Sequence, residues 1–368
     1  MLMPGYATSG GTDRFRRRFE VRFPGHFREI QGLWLSSIGI GTYLGDPTAA
    51  YDALYRETVA EALESGINVF DTAVNYRHQR SERAIGQALA AVISGGKVQR
   101  DEVMIATKGG FLNFDGSEPD DPSDYFQRTF IDPGFLRPED VVAGCHVMSP
   151  KYLENQIDVS RENLGLQTLD IYYLHNPETQ ASTVAREEFD RRIRAAFAAL
   201  EKAVAEGKIR IYGTATWNAF RVGQESREAL SLPELLRLAE EVGGKDHHFR
   251  AIQLPYNLAM PEALSARTQR VDGKGVPVLQ VARAHGMLVF ASASLLQQKL
   301  TDDLPAETHR WFPGLEKDAQ RAIQFVRSTP GITSALVGMS RRKHVAENLS
   351  TAKTPPLNLE QFRAIFGQ

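Results

Sequence analysis

Four side chains capable of acid–base chemistry follow three consecutive candidate strands of the sequence. Asp71 and Tyr76 come after the apolar run that ends at Phe70, and Lys108 and His175 follow the next two runs. Catalytic groups placed where a strand ends and a helix has not yet begun are typical of the C-terminal rim of a (β/α)8 barrel. We therefore expect these four side chains to meet at one rim.

Together, these residue types could deliver a proton to a substrate oxygen. A tyrosine phenol with a pKa of about 10 is a poor acid at neutral pH. A cationic Lys108 would lower the pKa of Tyr76, and a buried Asp71 would hold the lysine in place. His175 could hydrogen-bond a carbonyl oxygen and orient the substrate. Such a set would protonate the alkoxide that forms when hydride reaches a carbonyl carbon.

Each residue also has an ordinary structural interpretation. A lysine at a strand end is usually a surface charge, and a histidine after an apolar strand is more often a structural hydrogen-bonding group. Asp71 could simply cap a helix or form a turn. The combination favours chemistry because consecutive strand ends supply complementary groups. No metal site is expected, since His146 and the pair His247-His248 lack carboxylate or cysteine residues at ligand spacing.

Length and composition limit the class of protein. The chain has 368 residues, 42% of them hydrophobic, which is enough to bury a large core. Its net charge of -2 gives no general attraction to nucleic acid or acidic membranes. Its single cysteine, Cys145, excludes an internal disulfide framework, and no apolar run reaches the roughly 20 residues that span a bilayer. We expect a soluble, cytoplasmic protein without a nucleic-acid or membrane partner.

Eight short apolar runs alternate with amphipathic segments. This alternation predicts an α/β fold with a parallel sheet covered on both faces, and eight units in about 330 residues favour a closed (β/α)8 TIM barrel. An open dinucleotide-binding sheet is disfavoured because no Gly-x-Gly-x-x-Gly follows the first run. The candidate strands are Leu35–Gly41, Ile67–Asp71, Val103–Thr107, Leu169–His175, Ile209–Thr214, Phe249–Leu254, Leu288–Ser292 and Ser334–Gly338.

The barrel is predicted to be a single domain over residues 25–355. Residues 1–24 read as a flexible N-terminal arm and not as a secretory signal, because Arg14, Arg16, Arg17 and Arg18 are followed by no apolar core. Residues 356–368 read as a C-terminal tail or short helix. We see no interdomain linker and no internal repeat.

Segments outside the strands predict additions to the barrel. Residues 27–35 read as an N-terminal β-hairpin that covers the bottom of the barrel. Residues 110–149 follow the third strand and residues 258–275 follow the sixth, so both long loops should rise from the catalytic face. The many aromatic residues of the first loop indicate a packed lid.

The sequence resembles the aldo-keto reductase family from about residue 27 to residue 350. The resemblance implies a barrel oxidoreductase that reduces an aldehyde or ketone to an alcohol with NADPH, with Tyr76 as general acid and Asp71, Lys108 and His175 completing a tetrad. The motifs that carry it are Ile38-Gly39-Ile40-Gly41-Thr42, Phe70-Asp71-Thr72-Ala73, Thr107-Lys108, Leu169-Asp170-Ile171-Tyr172-Tyr173-Leu174-His175, Gly207-Lys208-Ile209-Arg210-Ile211-Tyr212-Gly213 and Pro330-Gly331-Ile332-Thr333-Ser334-Ala335-Leu336-Val337-Gly338.

By the same resemblance NADPH is the expected cofactor, with NADH as the alternative. Arg341 and Arg342 open the last barrel helix, where a helix N-terminus with arginines suits the 2′-phosphate. An ordinary solvated basic turn is the other interpretation of this pair. The residues implied in cofactor binding are Gly41, Thr42, Tyr43, Asn176, Thr216, Gln253, Ser292, Leu295, Gly338, Arg341, Arg342, Glu347 and Asn348.

Two positions depart from the family pattern at the nicotinamide end. Ala215 stands where many members have a serine, so Thr216 or Asn218 would have to bind the nicotinamide amide instead. The form Gly-Thr-x-x-Trp, which ends at Trp217, is closer to the potassium-channel β-subunit branch. Ser292 stands where many members stack an aromatic ring on the nicotinamide, a loss on the order of 1 kcal/mol.

A third departure lies beside Tyr76. Arg77 and His78 replace the small residues that often follow the family's tyrosine, and they would crowd or charge the mouth of the pocket. They suggest a polar or anionic small-molecule carbonyl substrate. The oligomeric state is left open by the sequence.

Two other functions remain possible. The first is an NADP(H)-binding regulatory or redox-sensor barrel with little turnover, although a pure binding module has no need of Lys108 and Asp71 around a tyrosine. The second is a non-redox barrel enzyme, such as a lyase or an isomerase, which would bind no nicotinamide cofactor.

Overall fold

Eight parallel strands close into a barrel in the computed structural model of the chain, which describes residues 1–367. This confirms the predicted fold class. In chain order the strands are β1 (Phe27–Ile30), β2 (Leu33–Ser36), β3 (Ile38–Gly41), β4 (Val69–Asp71), β5 (Met104–Gly109), β6 (Leu169–His175), β7 (Ile209–Ala215), β8 (Phe249–Pro255), β9 (Gln269–Val271), β10 (Lys274–Val276), β11 (Leu288–Ser292) and β12 (Ser334–Gly338). Strands β3 to β8, β11 and β12 follow one another around the barrel, and β12 pairs with β3 to close it.

The strand register brings the expected functional residues to one rim. Gly41 of β3 lies opposite Asp71 of β4, His175 of β6 lies opposite Ala215 of β7, and Ala215 lies opposite Gln253 of β8. All these residues stand at or near the carboxyl ends of their strands. Apolar side chains fill the inside of the barrel below these residues, so the barrel is not a pore. The rim residues therefore form the floor of a cavity above this core.

Helices surround the barrel and bury one face each. In α3, for example, Ala84, Ile85, Ala88, Leu89 and Val92 are buried, which is the spacing of a single helical face. Among the helices of residues 1–367, none combines the length and the apolarity that a membrane crossing requires. In chain order the helices are α1 (Ser9–Phe19), α2 (Ala49–Ser65), α3 (Arg80–Ser94), α4 (Pro122–Phe126), α5 (Pro150–Leu164), α6 (Glu178–Ala181), α7 (Arg186–Ala205), α8 (Leu232–Gly243), α9 (Glu262–Ser265), α10 (Val278–Ala284), α11 (Glu307–Trp311), α12 (Asp318–Ser328), α13 (Arg342–Leu349) and α14 (Leu359–Ala364).

The N-terminal segment is an ordered part of the fold, and the expectation of a flexible arm over residues 1–24 was wrong. Helix α1 is capped by the hydroxyl of Thr8 and buries Phe15 against the core. Phe23, after the helix, is also buried. Arg14 pairs with the buried Glu102 at 2.7 Å, which ties the helix to the bottom of the barrel. The arginines of α1 belong to the polar face of an amphipathic helix.

The predicted hairpin is present and covers the bottom of the barrel. Strands β1 and β2 pair antiparallel around Gln31 and Gly32, which both have positive φ as a two-residue hairpin turn requires. Leu35 of β2 packs with the apolar side chains inside the barrel. The first predicted strand, Leu35–Gly41, is divided between β2 and β3 because the chain bends at Ser37.

The loop over residues 110–149 is packed and partly helical. It contains α4, a π-helical turn (Gln127–Ile131) and a 3-10 turn (Pro138–Asp140). Phe130, Leu136 and Val147 are buried in a small separate core that the loop forms with Tyr152 of α5. The second loop, residues 258–275, contains α9 and the β9–β10 hairpin.

Candidate active site

A buried ion pair lies at the centre of the rim. Nζ of Lys108 lies 2.7 Å from Oδ2 of Asp71 and donates a second hydrogen bond to the carbonyl oxygen of Thr72, also at 2.7 Å. The amide Nε2 of Gln253 donates to the other carboxylate oxygen, Oδ1, at 2.7 Å. Burial lowers the pKa of Lys108 and raises the pKa of Asp71, while each partner favours the other's charged form. The buried pair is therefore held by three hydrogen bonds.

Tyr76 lies directly beside this pair. Its ring centroid is 4.8 Å from Nζ of Lys108, and the rings of His175 and Tyr43 pack edge-on against it at 5.7 Å and 5.2 Å. Desolvation raises the pKa of Tyr76 well above its usual value, and the charge of Asp71 and the neighbouring Tyr43 raise it further. This differs from the expectation that Lys108 lowers that pKa. In the protein without a ligand, the phenol keeps its proton and can donate it.

His175 is held by its backbone and by aromatic contacts. Its carbonyl oxygen accepts a hydrogen bond from Nε2 of His146 at 2.7 Å, and the ring of Phe111 packs edge-on at a centroid distance of 5.0 Å. Burial and the nearby Lys108 lower the pKa of His175 well below its usual value, so the ring is neutral. Its Nδ1 is buried and has no hydrogen-bond partner within the described residues. The ring is thus available to a bound molecule.

A cavity of about 510 Å³ opens above these side chains. Asp71, Tyr76 and His175 line it, whereas Lys108 lies underneath, against Asp71. The cavity also brings together nine of the residues expected to bind the cofactor: Gly41, Thr42, Tyr43, Asn176, Thr216, Gln253, Ser292, Leu295 and Gly338.

A groove of about 970 Å³ continues from this cavity along the rim. The two share four lining residues: Leu44, Leu295, Gln298 and Gly338. The expected residues Glu347 and Asn348 line the far part of the groove, together with Lys343 and His344 of α13. Lys317, another cation of the groove, is paired with Glu347 at 2.8 Å.

Arg341 and Arg342 are not brought into this groove, in contrast to the expectation that they face a phosphate there. Nε and Nη2 of Arg342 both donate to Oε2 of Glu61 on α2, at 3.1 Å and 2.7 Å, and the Arg342 side chain is largely exposed. Arg341 is the exposed residue that precedes α13, and neither arginine lines the groove. The carboxylate on the neighbouring helix directs Arg342 away, so the next residue, Lys343, is the α13 cation that faces the groove.

The positions that depart from the family pattern have clear structural consequences. Thr216 lines the cavity, and its hydroxyl donates to the carbonyl oxygen of Gln253 at 3.3 Å. The side-chain amide of Asn218 donates to Glu228 at 2.9 Å, and Asn218 does not line the cavity. Of the two residues that could replace the missing serine, Thr216 is therefore the one in position. Ser292 lines the cavity without an aromatic ring of its own.

Arg77 and His78 neither crowd nor charge the cavity, as neither residue lines it. Arg77 is buried, pairs with Asp52 at 2.6 Å and donates to the carbonyl oxygens of Asp46 and Thr48. Three successive residues from Arg77 to Gln79 have positive φ, between 51° and 69°, and turn the chain away from the rim. The structure thus removes the basis for an anionic substrate.

Some cavity residues were missed by the sequence interpretation. Phe111 follows β5 by two positions and touches His175, and Asn75, just before Tyr76, has a buried Oδ1 without a partner in the described chain. Glu178 was also missed, although it follows His175 by three residues. Its carboxylate accepts the backbone N–H groups of Trp217 and Asn218. Its place after the strand end was the available signal.

No group of three or more His, Cys, Asp or Glu side chains that could hold a metal ion occurs among residues 1–367. The rim cluster consists of organic side chains. It combines a phenol that keeps its proton, a neutral imidazole and a buried ion pair on the floor of a cavity. This arrangement can protonate an oxygen that becomes basic within the cavity.

Comparisons with known proteins agree with this geometry. A D-threo-aldose 1-dehydrogenase from a Pseudomonas species is 30% identical over 200 residues, which cover 54% of this chain and 55% of that protein. A putative voltage-gated potassium channel subunit beta from Schizosaccharomyces pombe is 26% identical over 200 residues, which cover 54% of this chain and 47% of that protein. The chain thus spans about half the length of these curated relatives.

The fold has a close counterpart among solved structures. An aldo/keto reductase from Klebsiella pneumoniae, solved in complex with NADP and acetate, superposes with a TM-score of 0.61 at 21% identity and covers 93% of this chain and 94% of that one. At this level of identity the likeness concerns the fold. The model of the aldo/keto reductase family matches residues 37–306, which include seven of the eight barrel strands and all four side chains of the rim cluster. The chain belongs to the aldo/keto reductase family.

Proposed function

We propose that the protein is an NADPH-dependent oxidoreductase that reduces an aldehyde or a ketone to an alcohol, with Tyr76 as the general acid. The observation that carries this proposal is the cluster on the cavity floor. Tyr76 keeps its proton, with Lys108 4.8 Å from its ring centroid and His175 packed edge-on beside it. A phenol in this position faces any molecule that enters the cavity.

The residues of the chain would each have a distinct task. NADPH, when bound, supplies the hydride that adds to the carbonyl carbon. Tyr76 then gives its phenolic proton to the oxygen as negative charge develops there. His175 is neutral and has a free ring nitrogen, so it can orient the carbonyl group. Lys108 stabilises the phenolate that remains, and Asp71 holds Lys108 in place through the 2.7 Å contact.

The shape and polar groups of the cavity and groove fit a nicotinamide dinucleotide. A dinucleotide is long, and the cavity and the groove together form a continuous depression with four shared lining residues. Unpartnered polar atoms on Asn75 and His175 at the cavity end suit the polar groups of a ligand. The Klebsiella relative solved with NADP supports this choice of cofactor.

We assign the two ends of the cofactor from the side chains present. Thr216 and Gln253 would hold the nicotinamide carboxamide, and Gly41, Thr42 and Tyr43 would line its ribose. Glu347 and Asn348 would contact the adenine. The cation for a 2′-phosphate would be Lys343, which has no ion-pair partner within the described part of the chain and lines the groove.

An uncharged, polar carbonyl compound fits the substrate end best. The one ionised carboxylate that lines the cavity, Asp71, is neutralised by Lys108. The aromatic side chains of Tyr43 and Trp217 are 59% and 41% exposed and flank the opening, with Phe111 further inside. Exposed rings of this kind bind the apolar faces of small polar molecules, including sugars. The name of the Pseudomonas relative, an aldose dehydrogenase, supports the same class.

A regulatory NADP(H)-binding barrel with little turnover is the second candidate. It is favoured by the similarity to a putative potassium channel subunit beta and by the Gly213-Thr214-Ala215-Thr216-Trp217 stretch. The same cofactor cavity would serve both functions. They differ in whether Tyr76 transfers a proton at an appreciable rate.

The test has two steps that separate binding from catalysis. Titration of the purified protein with NADPH and with NADH, followed by cofactor fluorescence, is expected to give saturable binding. A steady-state screen of aldehydes, ketones and sugars, followed at the nicotinamide absorbance, is expected to give turnover with an uncharged substrate. Binding without turnover would favour the regulatory barrel, and no binding of either cofactor at millimolar concentration would overturn both proposals.

A further inference from the structure

A buried carboxylate connects the ends of two neighbouring barrel strands above the cavity. Glu178 begins α6, three residues after His175, and its side chain points to the loop that follows β7. Its Oε1 accepts the backbone N–H of Trp217 at 2.6 Å and that of Asn218 at 3.2 Å. The carboxylate therefore binds the loop directly, although it does not line the cavity itself.

The loop held in this way forms one wall of the substrate cavity. It carries Thr216, the one hydroxyl left to replace the missing serine, and the half-exposed ring of Trp217. On its other side the loop is attached to β8 through the N–H of Thr216, which donates to the carbonyl oxygen of Gln253 at 2.9 Å. A third link runs from the N–H of Asn176 to the carbonyl oxygen of Ala215 at 2.7 Å. Beyond Thr216, Glu178 is the carboxylate that binds the backbone of this wall, while Glu228 binds the side-chain amide of Asn218.

We propose that Glu178 is a positioning residue that holds the backbone of Trp217 and Asn218, and with it the Trp217 ring, in the orientation that binds the carbonyl substrate, while Thr216 is held separately by Gln253. This inference rests on the proposed function, because it concerns the same cavity. Glu178 takes no part in proton transfer. It acts through the loop, so its loss should weaken substrate binding more than it slows the chemical step.

The ionised form of Glu178 is the one that holds the loop most firmly. A carboxylate accepts stronger hydrogen bonds from N–H groups than a neutral carboxylic acid does. Burial raises the pKa of Glu178 to about 7, against the effect of the N–H groups of Trp217 and Asn218, and the neighbouring Glu228 raises it further. Glu228 acts from the same loop region, where it accepts the amide of Asn218 at 2.9 Å. The strength of the anchor should therefore change near neutral pH.

The test compares Glu178→Ala, Glu178→Gln and the exposed control Glu187→Gln, with DL-glyceraldehyde and NADPH between pH 5.5 and 8.5. Glu178→Ala removes Oε1, the one oxygen that accepts both N–H groups, so KM is expected to rise about tenfold or more, while kcat and the NADPH dissociation constant change less than about threefold. Glu178→Gln keeps an acceptor that does not titrate. It should therefore restore most of the affinity at pH 8 and abolish the wild-type rise of KM below pH 7. Glu187→Gln should behave like the wild type.

Three kinetic results would overturn the inference. One is an unchanged KM in Glu178→Ala. The second is a wild-type pH profile of KM that persists in Glu178→Gln. The third is a fall in kcat together with a rise in both KM and the NADPH dissociation constant in both Glu178 variants, because that pattern indicates a general structural defect.

A second measurement keeps the test independent of the proposed function. The fluorescence of Trp217, taken as the difference between the wild type and Trp217→Phe, is expected to titrate near pH 7 in the wild type and to be flat in Glu178→Gln. It needs no substrate. If neither DL-glyceraldehyde nor any other carbonyl compound is turned over, the proposed function fails. A wild-type fluorescence of Trp217 that does not change with pH would reject the role of Glu178, whether or not turnover is found.

Discussion

Nζ of Lys108 lies 2.7 Å from Oδ2 of Asp71, and both groups are buried on the floor of the cavity. A buried ion pair recovers its desolvation cost only when its remaining hydrogen-bonding groups are also satisfied. Gln253 and the carbonyl oxygen of Thr72 fulfil that requirement here. The pair therefore places a cation beside Tyr76 at little cost to stability, and it cannot be broken from one side without penalty.

The first prediction concerns this coupling. Lys108→Met should lower the free energy of unfolding by about 3–5 kcal/mol, because it leaves the charge of Asp71 buried without a partner. The double variant Asp71→Asn/Lys108→Met should lose less than the sum of the two single variants. Urea denaturation of all four proteins in a double-mutant cycle measures the coupling. Additive losses would mean that the two side chains do not stabilise one another.

Tyr76→Phe should remove turnover while sparing the cofactor. The variant keeps the ring and its packing against His175 and Tyr43, and it deletes only the proton donor. A general acid typically contributes about 10²–10⁴-fold to the rate, so kcat should fall by at least about 10²-fold. The NADPH dissociation constant, from cofactor fluorescence, should change less than about twofold. Turnover close to that of the wild type would exclude Tyr76 as the acid.

Lys343 and Arg342 should differ in how they affect the two cofactors, although they are neighbours. Lys343 lines the groove, whereas Arg342 is engaged by Glu61. Lys343→Ala should raise the NADPH dissociation constant about fivefold, equivalent to about 1 kcal/mol for an exposed charged contact, and spare NADH. Arg342→Ala is the matched control and should change neither. If Arg342→Ala weakened NADPH binding and Lys343→Ala did not, Arg342 would be the cation that binds the 2′-phosphate.

Glu178 should make stability depend on pH in a definite direction. Its pKa is about 7 in the folded protein, against 4.5 for an ordinary glutamate. Between these values the folded chain keeps a proton that the unfolded chain has released, so stability is lost as pH rises from about 4.5 through 7. At about 1.4 kcal/mol per pKa unit, the loss is on the order of 3 kcal/mol. The Glu178→Gln variant should not show this loss of stability, because its amide does not titrate.

The melting temperature of Glu178→Gln minus that of the wild type should therefore increase from pH 5 to pH 8. Differential scanning fluorimetry of the two proteins in the same buffers measures this difference. Groups other than Glu178 cancel in the comparison. Parallel curves would show that Glu178 titrates near the usual glutamate value in the folded protein.

The N-terminal helix should contribute to stability and leave the chemistry unchanged. Phe15→Ala removes a fully buried ring from the core, which typically costs about 3–5 kcal/mol. The helix lies at the bottom of the barrel, so kcat and KM of the folded enzyme should stay within about twofold of the wild type. Val21→Ala, at a side chain that is 94% exposed, is the control. Equal melting temperatures for both variants would mean that the segment is not docked in solution.

The rim cluster was predictable because it depends on strand ends. All strands of a parallel barrel end at the same rim, so Asp71, Lys108 and His175 could be brought together from their places after successive apolar runs. Tyr76 could be placed in the same cluster because it follows Asp71 by only five residues. Gly41 and Gln253 were expected near the cofactor from the family resemblance alone, and both stand at the rim and line the cavity.

The directions of long charged side chains could not be predicted in this way. Arg77 follows Tyr76 in the chain, yet its left-handed backbone and Asp52 turn it into the protein. Arg342 is drawn away from the groove by Glu61. Asp52 and Glu61 both lie on α2, far from the arginines in the sequence. Local sequence patterns do not show which distant residues will become ion-pair partners.

The sequence by itself therefore determined the barrel, the rim and the chemical identity of the groups on it. The hydrophobic periodicity distinguishes strands from helices, and the order of these elements along the chain indicates which residues end at the rim. The tertiary structure decided which cation of α13 faces the groove, that α1 is docked, and that Glu178 accepts the backbone N–H of Trp217. Those outcomes depend on contacts between distant segments. Burial and pairing in three dimensions select among orientations that the sequence leaves open.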